Sequence, residues 1–119
     1  MIGQLLQRYE QEIASAAERW EHLDNAPERA YIRGTQMGAL FLEQRLRDAL
    51  DIAEEGGDLA LALEDLASDL VKQAASEKQA IAEADDIPTK LGYIKALERG
   101  AQEVQAAAEE ERRIECDEA

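Results

Sequence analysis

Apolar residues recur along this chain at steps of three and four, and the pattern is interrupted three times by short stop-and-start signals. In the first segment Ile2, Leu5, Leu6, Tyr9, Ile13, Ala16, Ala17, Trp20 and Leu23 fall on one side of a helix. The stretch DNAPE then ends that helix and starts another: Asn25 suits an N-cap, Pro27 the first turn, and Glu28 the third position of a capping box. EEGGD supplies glycines for a left-handed C-cap and Asp58 as the next N-cap, and DDIP repeats the device with Asp86 and Pro88. Leu59, Leu63, Leu66, Leu70, Ala74 and Ile81 form the third stripe; Leu91, Ile94, Leu97, Ala101, Val104 and Ala108 form the fourth.

Helices are therefore expected over about 2–24, 26–55, 58–85 and 87–112, with 113–119 a tail that frays. Each spans roughly 35 to 45 Å at 1.5 Å per residue, and connections this short make sequence neighbours antiparallel. The predicted fold is all-α, a single domain over 1–119 folded as an up-down four-helix bundle. The alternative is a pair of helical hairpins that complete the bundle through dimerisation.

The second helix poses a puzzle of its own. It is the most apolar of the four, yet it carries Gly34 and Gly38, and a glycine inside a helix costs about 1 kcal/mol relative to alanine. If the first two helices fold back around Asn25 and Ala26, Gly38 faces Ile13 and Gly34 faces Ala17, and small residues there allow close approach of the axes. An intermolecular crossing or a kink is the competing reading, because the same spacing is familiar from membrane dimers. In this register Trp20 and Tyr31 lie opposite each other and close that end of the core. Arg45 and Glu77 break the apolar stripes at unequal distances from the EEGGD turn, which predicts that they do not pair with each other.

The formal net charge is −14, which repels phosphate backbones and anionic head groups and disfavours direct binding to nucleic acid or membrane. The longest apolar run, Met37 to Leu42, is far short of a membrane span, and the N-terminus lacks the pattern of a signal peptide. A soluble, cytoplasmic protein is expected, in the host cytoplasm if its origin is viral. Adaptation to high salt is a second explanation for the acidity.

Catalytic parts are missing from the pattern. His22 is the only histidine, which leaves no zinc set and no paired Glu-x-x-His motif for a di-iron bundle. Ser15, Ser68 and Ser76 have no adjacent base, neither G-x-S-x-G nor a P-loop occurs, and no calcium loop is spelled out. Cys116 stands alone in a polar tail. No catalytic residue, metal or cofactor is expected.

Two surfaces remain. Asp58, Asp65, Asp69 and Glu83 fall on one side of the third helix with Glu64 flanking them, a row of carboxylates suited to a basic, nucleic-acid-binding groove on another protein. Arg29, Ile32, Arg33, Gln36, Leu40 and Arg47 form a mixed arginine and aliphatic face on the second helix, suited to a protein interface or to a second copy. The function expected first is non-enzymatic binding of a macromolecular partner with a basic surface, in the manner of a stoichiometric inhibitor or nucleic-acid mimic. Small acidic helical proteins of this style are frequent among viral and mobile-element products. Self-association through the second helix as a structural or adaptor protein is the alternative, and a small bundle enzyme is the third reading.

Overall fold

The structure, a computed structural model, describes the backbone of residues 2–118 and the side-chain surroundings of residues 2–114. Its elements are α1 (Ile2–His22), α2 (Ala26–Glu54), α3 (Leu59–Gln79), a short 3-10 turn (Ile81–Glu83) and α4 (Ile87–Glu118), with no strand among the described residues.

The turns follow from their capping residues. Asn25 Oδ1 accepts from the Glu28 N–H at 3.1 Å, and Asp58 Oδ1 accepts from the Leu61 N–H at 3.2 Å. Gly56 ends α2 with φ at +95°, the left-handed conformation that favours glycine. Asp86 accepts both the Thr89 hydroxyl at 2.7 Å and the Thr89 N–H at 3.2 Å, and these bonds hold its carboxyl below the usual carboxylate range. The third helix is shorter than expected. It stops at Gln79, Ala80 bonds back to Ser76 O, and the chain tightens into i,i+3 bonds from Glu83 to Ala80 O and from Ala84 to Ile81 O. The fourth continues to Glu118 instead of ending near residue 112. The side chain of Cys116 lies outside the described residues.

Sequence neighbours are antiparallel, giving the up-down bundle. Gln36 Nε2 donates to Ile13 O and Arg29 Nε to Trp20 O across α1 and α2; Lys78 pairs with Glu98 and Glu64 with Arg112 across α3 and α4. The two parallel helices, α2 and α4, are the diagonal pair, and in this bundle the diagonal is closed. A β-carbon on Gly34 would strike the Thr89 carbonyl and sit 2.9 Å from Tyr93 N; one on Gly92 would strike the Tyr31 carbonyl and sit 2.9 Å from Thr35 N. Further along, one on Gly38 would strike Ala96 Cβ, and one on Gly100 would strike Leu42. Backbone rests on backbone at this crossing.

The expected partners of the glycines are thereby corrected. Ile13 is half-buried and Ala17 exposed on α1, and the atoms nearest a β-carbon at Gly34 or Gly38 belong to Thr89, Tyr93 and Ala96 of α4 instead. The α1–α2 register is close to that expected, but α1 sits on the Arg29 and Gln36 side of α2, so the glycine side is free to take α4. With the diagonal closed, α1 and α3 lie on opposite sides of the central pair, and the molecule is flattened to 54 × 30 × 21 Å.

The core is built on that pair. Leu42, Leu46, Leu63, Leu70, Ile94, Leu97 and Val104 are essentially inaccessible, with Tyr9 the one aromatic among them; each such side chain contributes about 1.5–3 kcal/mol by leaving water. Alanine at Ala60, Ala67, Ala101, Ala107 and Ala108 lets α3 and α4 lie close along the lower half.

Substituting Gly34→Ala or Gly92→Ala should destabilise the fold by about 2 kcal/mol or more through overpacking, outweighing the ~1 kcal/mol gain in helix propensity. Gly3 faces open space, so Gly3→Ala should leave stability unchanged or higher. Urea denaturation followed by circular dichroism compares the three; equal midpoints for Gly34→Ala and the unsubstituted chain would refute the backbone contact.

Candidate functional site

Because α1 lies to one side of the central pair, it meets α4 only where long side chains bridge them. Arg8 pairs with Glu103 and lies 3.8 Å from Glu12; Arg99 lies 2.6 Å from Glu12 and 3.7 Å from Glu103. Two arginines and two glutamates thus close a ring, and a network of this kind holds its members better than an isolated surface pair does. Beneath it Tyr9 is wholly buried and donates its hydroxyl to Glu103 at 3.3 Å. Burial pushes the Tyr9 phenol up to about 12, with the Arg8 guanidinium opposing the shift.

Beyond this ring α1 and α4 diverge. The α1 stripe is buried at Ile2, Leu5 and Tyr9 but only half-buried at Ile13, Trp20 and Leu23. The space between is a groove of about 1040 Å³ with α1 and α4 as walls and α2 as floor. Its lining includes Ala16, Leu23, Tyr31, Ile32, Leu91 and Ala96, with Thr35 and Ser15 as polar members. Tyr31 and Leu91 remain 38% and 42% exposed, so an apolar strip is left open to water. The charged lining is Arg8, Arg19, Lys95 and Arg99 against Glu12 and Glu28. Cations outnumber acids here, although the chain as a whole carries −14.

Two further clefts have the opposite balance. One, about 660 Å³ between α3 and α4, sets Lys78 against Glu64, Glu98 and Glu109 over an alanine-rich floor. In it Glu98 takes Lys78 on Oε2 at 2.7 Å while its Oε1 is buried without a partner. The other, about 680 Å³, sets Lys90 against Glu77, Asp85 and Asp86 around Met37, Leu40, Phe41 and Tyr93. Burial and the Glu77 carboxylate push the Tyr93 phenol up, with Lys90 opposing.

The residues singled out from sequence are distributed unevenly over these surfaces. Asp58 and Glu64 both pair with Arg112, at 3.3 and 2.8 Å, and Asp69 lies 3.6 Å from Arg45. Asp65 is exposed without an ion pair, and Glu83 sits on the 3-10 turn beyond the end of α3. The five do not form one continuous row of free carboxylates.

On α2, Arg29 and Arg33 stack over Trp20 at 4.1 and 5.5 Å, Gln36 bonds to Ile13 O, Arg47 pairs with Glu10 and Glu43, and Ile32 is buried. That face is largely covered by α1, and Leu40 alone of the six stays exposed as an apolar group. Trp20 and Tyr31 do not meet across the core: the tryptophan lies against the arginines, and the tyrosine lines the groove. Arg45 and Glu77 do not pair with each other; Arg45 reaches Asp69 and Glu77 takes Lys90 at 2.6 Å. Among the described residues no group of three or more His, Cys, Asp or Glu side chains is placed to hold a metal, and no helix is long and apolar enough to cross a membrane.

The groove was not anticipated from sequence. The available signal lay in Gly92, Ala96 and Gly100, small residues four apart on the fourth helix that match the glycines of the second. That match implies a diagonal contact and hence a displaced α1. No family model matches this chain, and no curated protein or solved structure is significantly similar to it.

Tyr9 makes stability sensitive to alkali. Below pH 10 the phenol is protonated in both states; between pH 10 and 12 the unfolded chain releases the proton and the folded chain retains it, so stability falls as pH rises through that window. Tyr9→Phe should lose about 1 kcal/mol at pH 7 with its hydrogen bond and show a shallower decline above pH 10. Parallel declines for the two proteins in urea melts from pH 7 to 11.5 would contradict this assignment.

Proposed function

We propose that this chain is a non-enzymatic binding protein that acts stoichiometrically on a macromolecule presenting a basic surface. The observation that carries this reading is the partition of charge. Arg8, Arg45, Arg47, Lys78, Lys90, Arg99, Arg112 and Arg113 are engaged in ion pairs within the chain. Exposed carboxylates at the turn end are not: Glu18, Glu21, Asp24 and Glu28 flank the α1–α2 turn, and Glu83 and Asp85 occupy the α3–α4 turn. The up-down topology brings both turns to one end of the bundle. Its field attracts a cationic surface and raises the rate of encounter. An inhibitor or nucleic-acid mimic works in this way, and the acidic end replaces the full row along α3 as the docking surface.

A second reading, self-association as a structural or adaptor protein, is favoured by one observation on α2. Met37 and Leu40 are 48% and 51% exposed beside Phe41 and Tyr93, an apolar patch that a second copy would cover.

Reversing Glu21, Asp24, Glu83 and Asp85 together to lysine tests the first reading. Lysine near the C-terminus of α1 suits the helix dipole while lysine just before α4 opposes it, and none of the four carboxylates is ion-paired among the described residues, so the fold should persist. Capture of basic partners from the native host should fall by about tenfold or more, and the captured set should wash off the unsubstituted chain at high salt. An identical captured set for the reversed variant would reject the acidic end. Light scattering that shows a stable dimer, lost in Leu40→Glu, would favour assembly instead.

A further inference from the structure

We infer that the groove between α1 and α4 is a docking site for an acidic amphipathic helix of a partner protein, distinct from the acidic end. Three observations carry this. First, the groove has the shape of a missing helix. From the ion-pair ring at Glu12 and Arg99 to the turn residues Leu23 and Pro88, each wall runs for roughly 17 Å, about three helical turns, with α2 below and open space above. Second, Leu23, Tyr31 and Leu91 leave an apolar strip along it, the surface against which an amphipathic helix lays its own apolar face.

Third, the charge in the groove is inverted and unanswered. Arg19 on α1 and Lys95 on α4 are exposed and have no carboxylate partner. The register set by Arg8 on Glu103 and Glu12 on Arg99 places Arg19 across from Gly92 and Lys95 across from Ala16, so the two cations flank the strip from opposite walls about one turn apart. An incoming helix with a carboxylate on each flank answers both; one with lysines there meets Arg19 and Lys95 as like charges, since Glu12 already holds Arg8 and Arg99 and the one unpaired acid of the lining, Glu28, lies at the turn end. Outside its core a second copy of this chain offers isolated exposed apolar groups, such as Met37 and Leu40 on α2 and Leu61 and Val71 on α3, rather than the continuous apolar stripe of a free amphipathic helix.

The test uses a fluorescent designed peptide of about four turns with a leucine and alanine face flanked by glutamates, and a counterpart flanked by lysines, in fluorescence anisotropy against the full chain. The acidic peptide should bind saturably and the lysine peptide more weakly. Arg19→Glu with Lys95→Glu should weaken the acidic peptide by about tenfold or more with only a small fall in melting temperature, from the lost cation in the last turn of α1, as neither side chain has an ion-pair partner to lose. Ser15→Trp, which fills the groove from an exposed position, should block it as well. No binding of the acidic peptide, equal or tighter binding of the lysine peptide, or unchanged binding in both variants would overturn the inference. So would a homodimer abolished by Ser15→Trp, or displacement of the peptide by an oleate-sized amphiphile at equal concentration. Arg19 adjoins Glu18 of the acidic end, whereas Lys95 lies further along α4, so Lys95→Glu alone, assayed for capture of a basic partner, reads the two sites separately.

Discussion

The rest of the structure depends on the contact between two backbones, α2 at Gly34 and α4 at Gly92. In an ordinary four-helix bundle the diagonal helices are kept apart by the side chains between them. Here each glycine lies where any β-carbon would strike a carbonyl of the other helix, so the diagonal closes and the square collapses into a flat rhombus. The helix-propensity penalty at these positions, about 1 kcal/mol each, is offset by dispersion along a crossing with no side chain in the way. Everything else about the molecule's shape follows: α1 and α3 are pushed to opposite flanks, and neither can seal both of its edges.

The two flanks meet that consequence differently. On the α3 side, alanines at Ala67, Ala74, Ala101 and Ala108 allow α3 and α4 to approach, and Arg112 and Lys78 staple the edges. The α1 side lacks such a run. Tyr9 fills the gap near the N-terminus of α1, and the ring of Arg8, Glu12, Arg99 and Glu103 covers its hydroxyl. Past that point Ala16 is too short to reach α4 and the helices part. The groove is thus a geometric remainder of the glycine crossing, bounded at one end by the last place where long side chains can bridge.

Most of the fold was legible because its signals are local. Asn25, Asp58 and Asp86 cap the helices they were expected to cap, and the leucine stripes of α2, α3 and α4 face inward. What was not legible required knowing which pairs of helices touch. Gly34 and Gly38 announce close packing, but α1 and α4 both offer small residues, and only the tertiary fold decides between Ala17 and Ala96. The acidic row on α3 failed as a surface for the same reason: Arg112, which neutralises Asp58 and Glu64, lies on the next helix, and a helical wheel drawn for α3 alone has no place for it. Leu91 read as core from its periodicity, yet it is exposed because the helix that would cover it has moved aside.

Charge and shape are coupled through this geometry. A chain at −14 stays compact only if its cations sit where they neutralise the most carboxylates. In this fold they do so along the helix edges, where Arg8, Arg45, Arg47, Arg99 and Arg112 each reach across to another helix. Edge pairing leaves the excess acid at the turns, where the cations of the facing helices are engaged elsewhere: Arg29 and Arg33 stack over Trp20 and Lys90 takes Glu77. It also leaves Arg19 and Lys95 without partners, because the edge to which they belong is the one that the glycine crossing has opened. The acidic end and the cationic groove therefore share one cause: a close diagonal contact determines which edges can pair, and the surplus of either sign collects where they cannot.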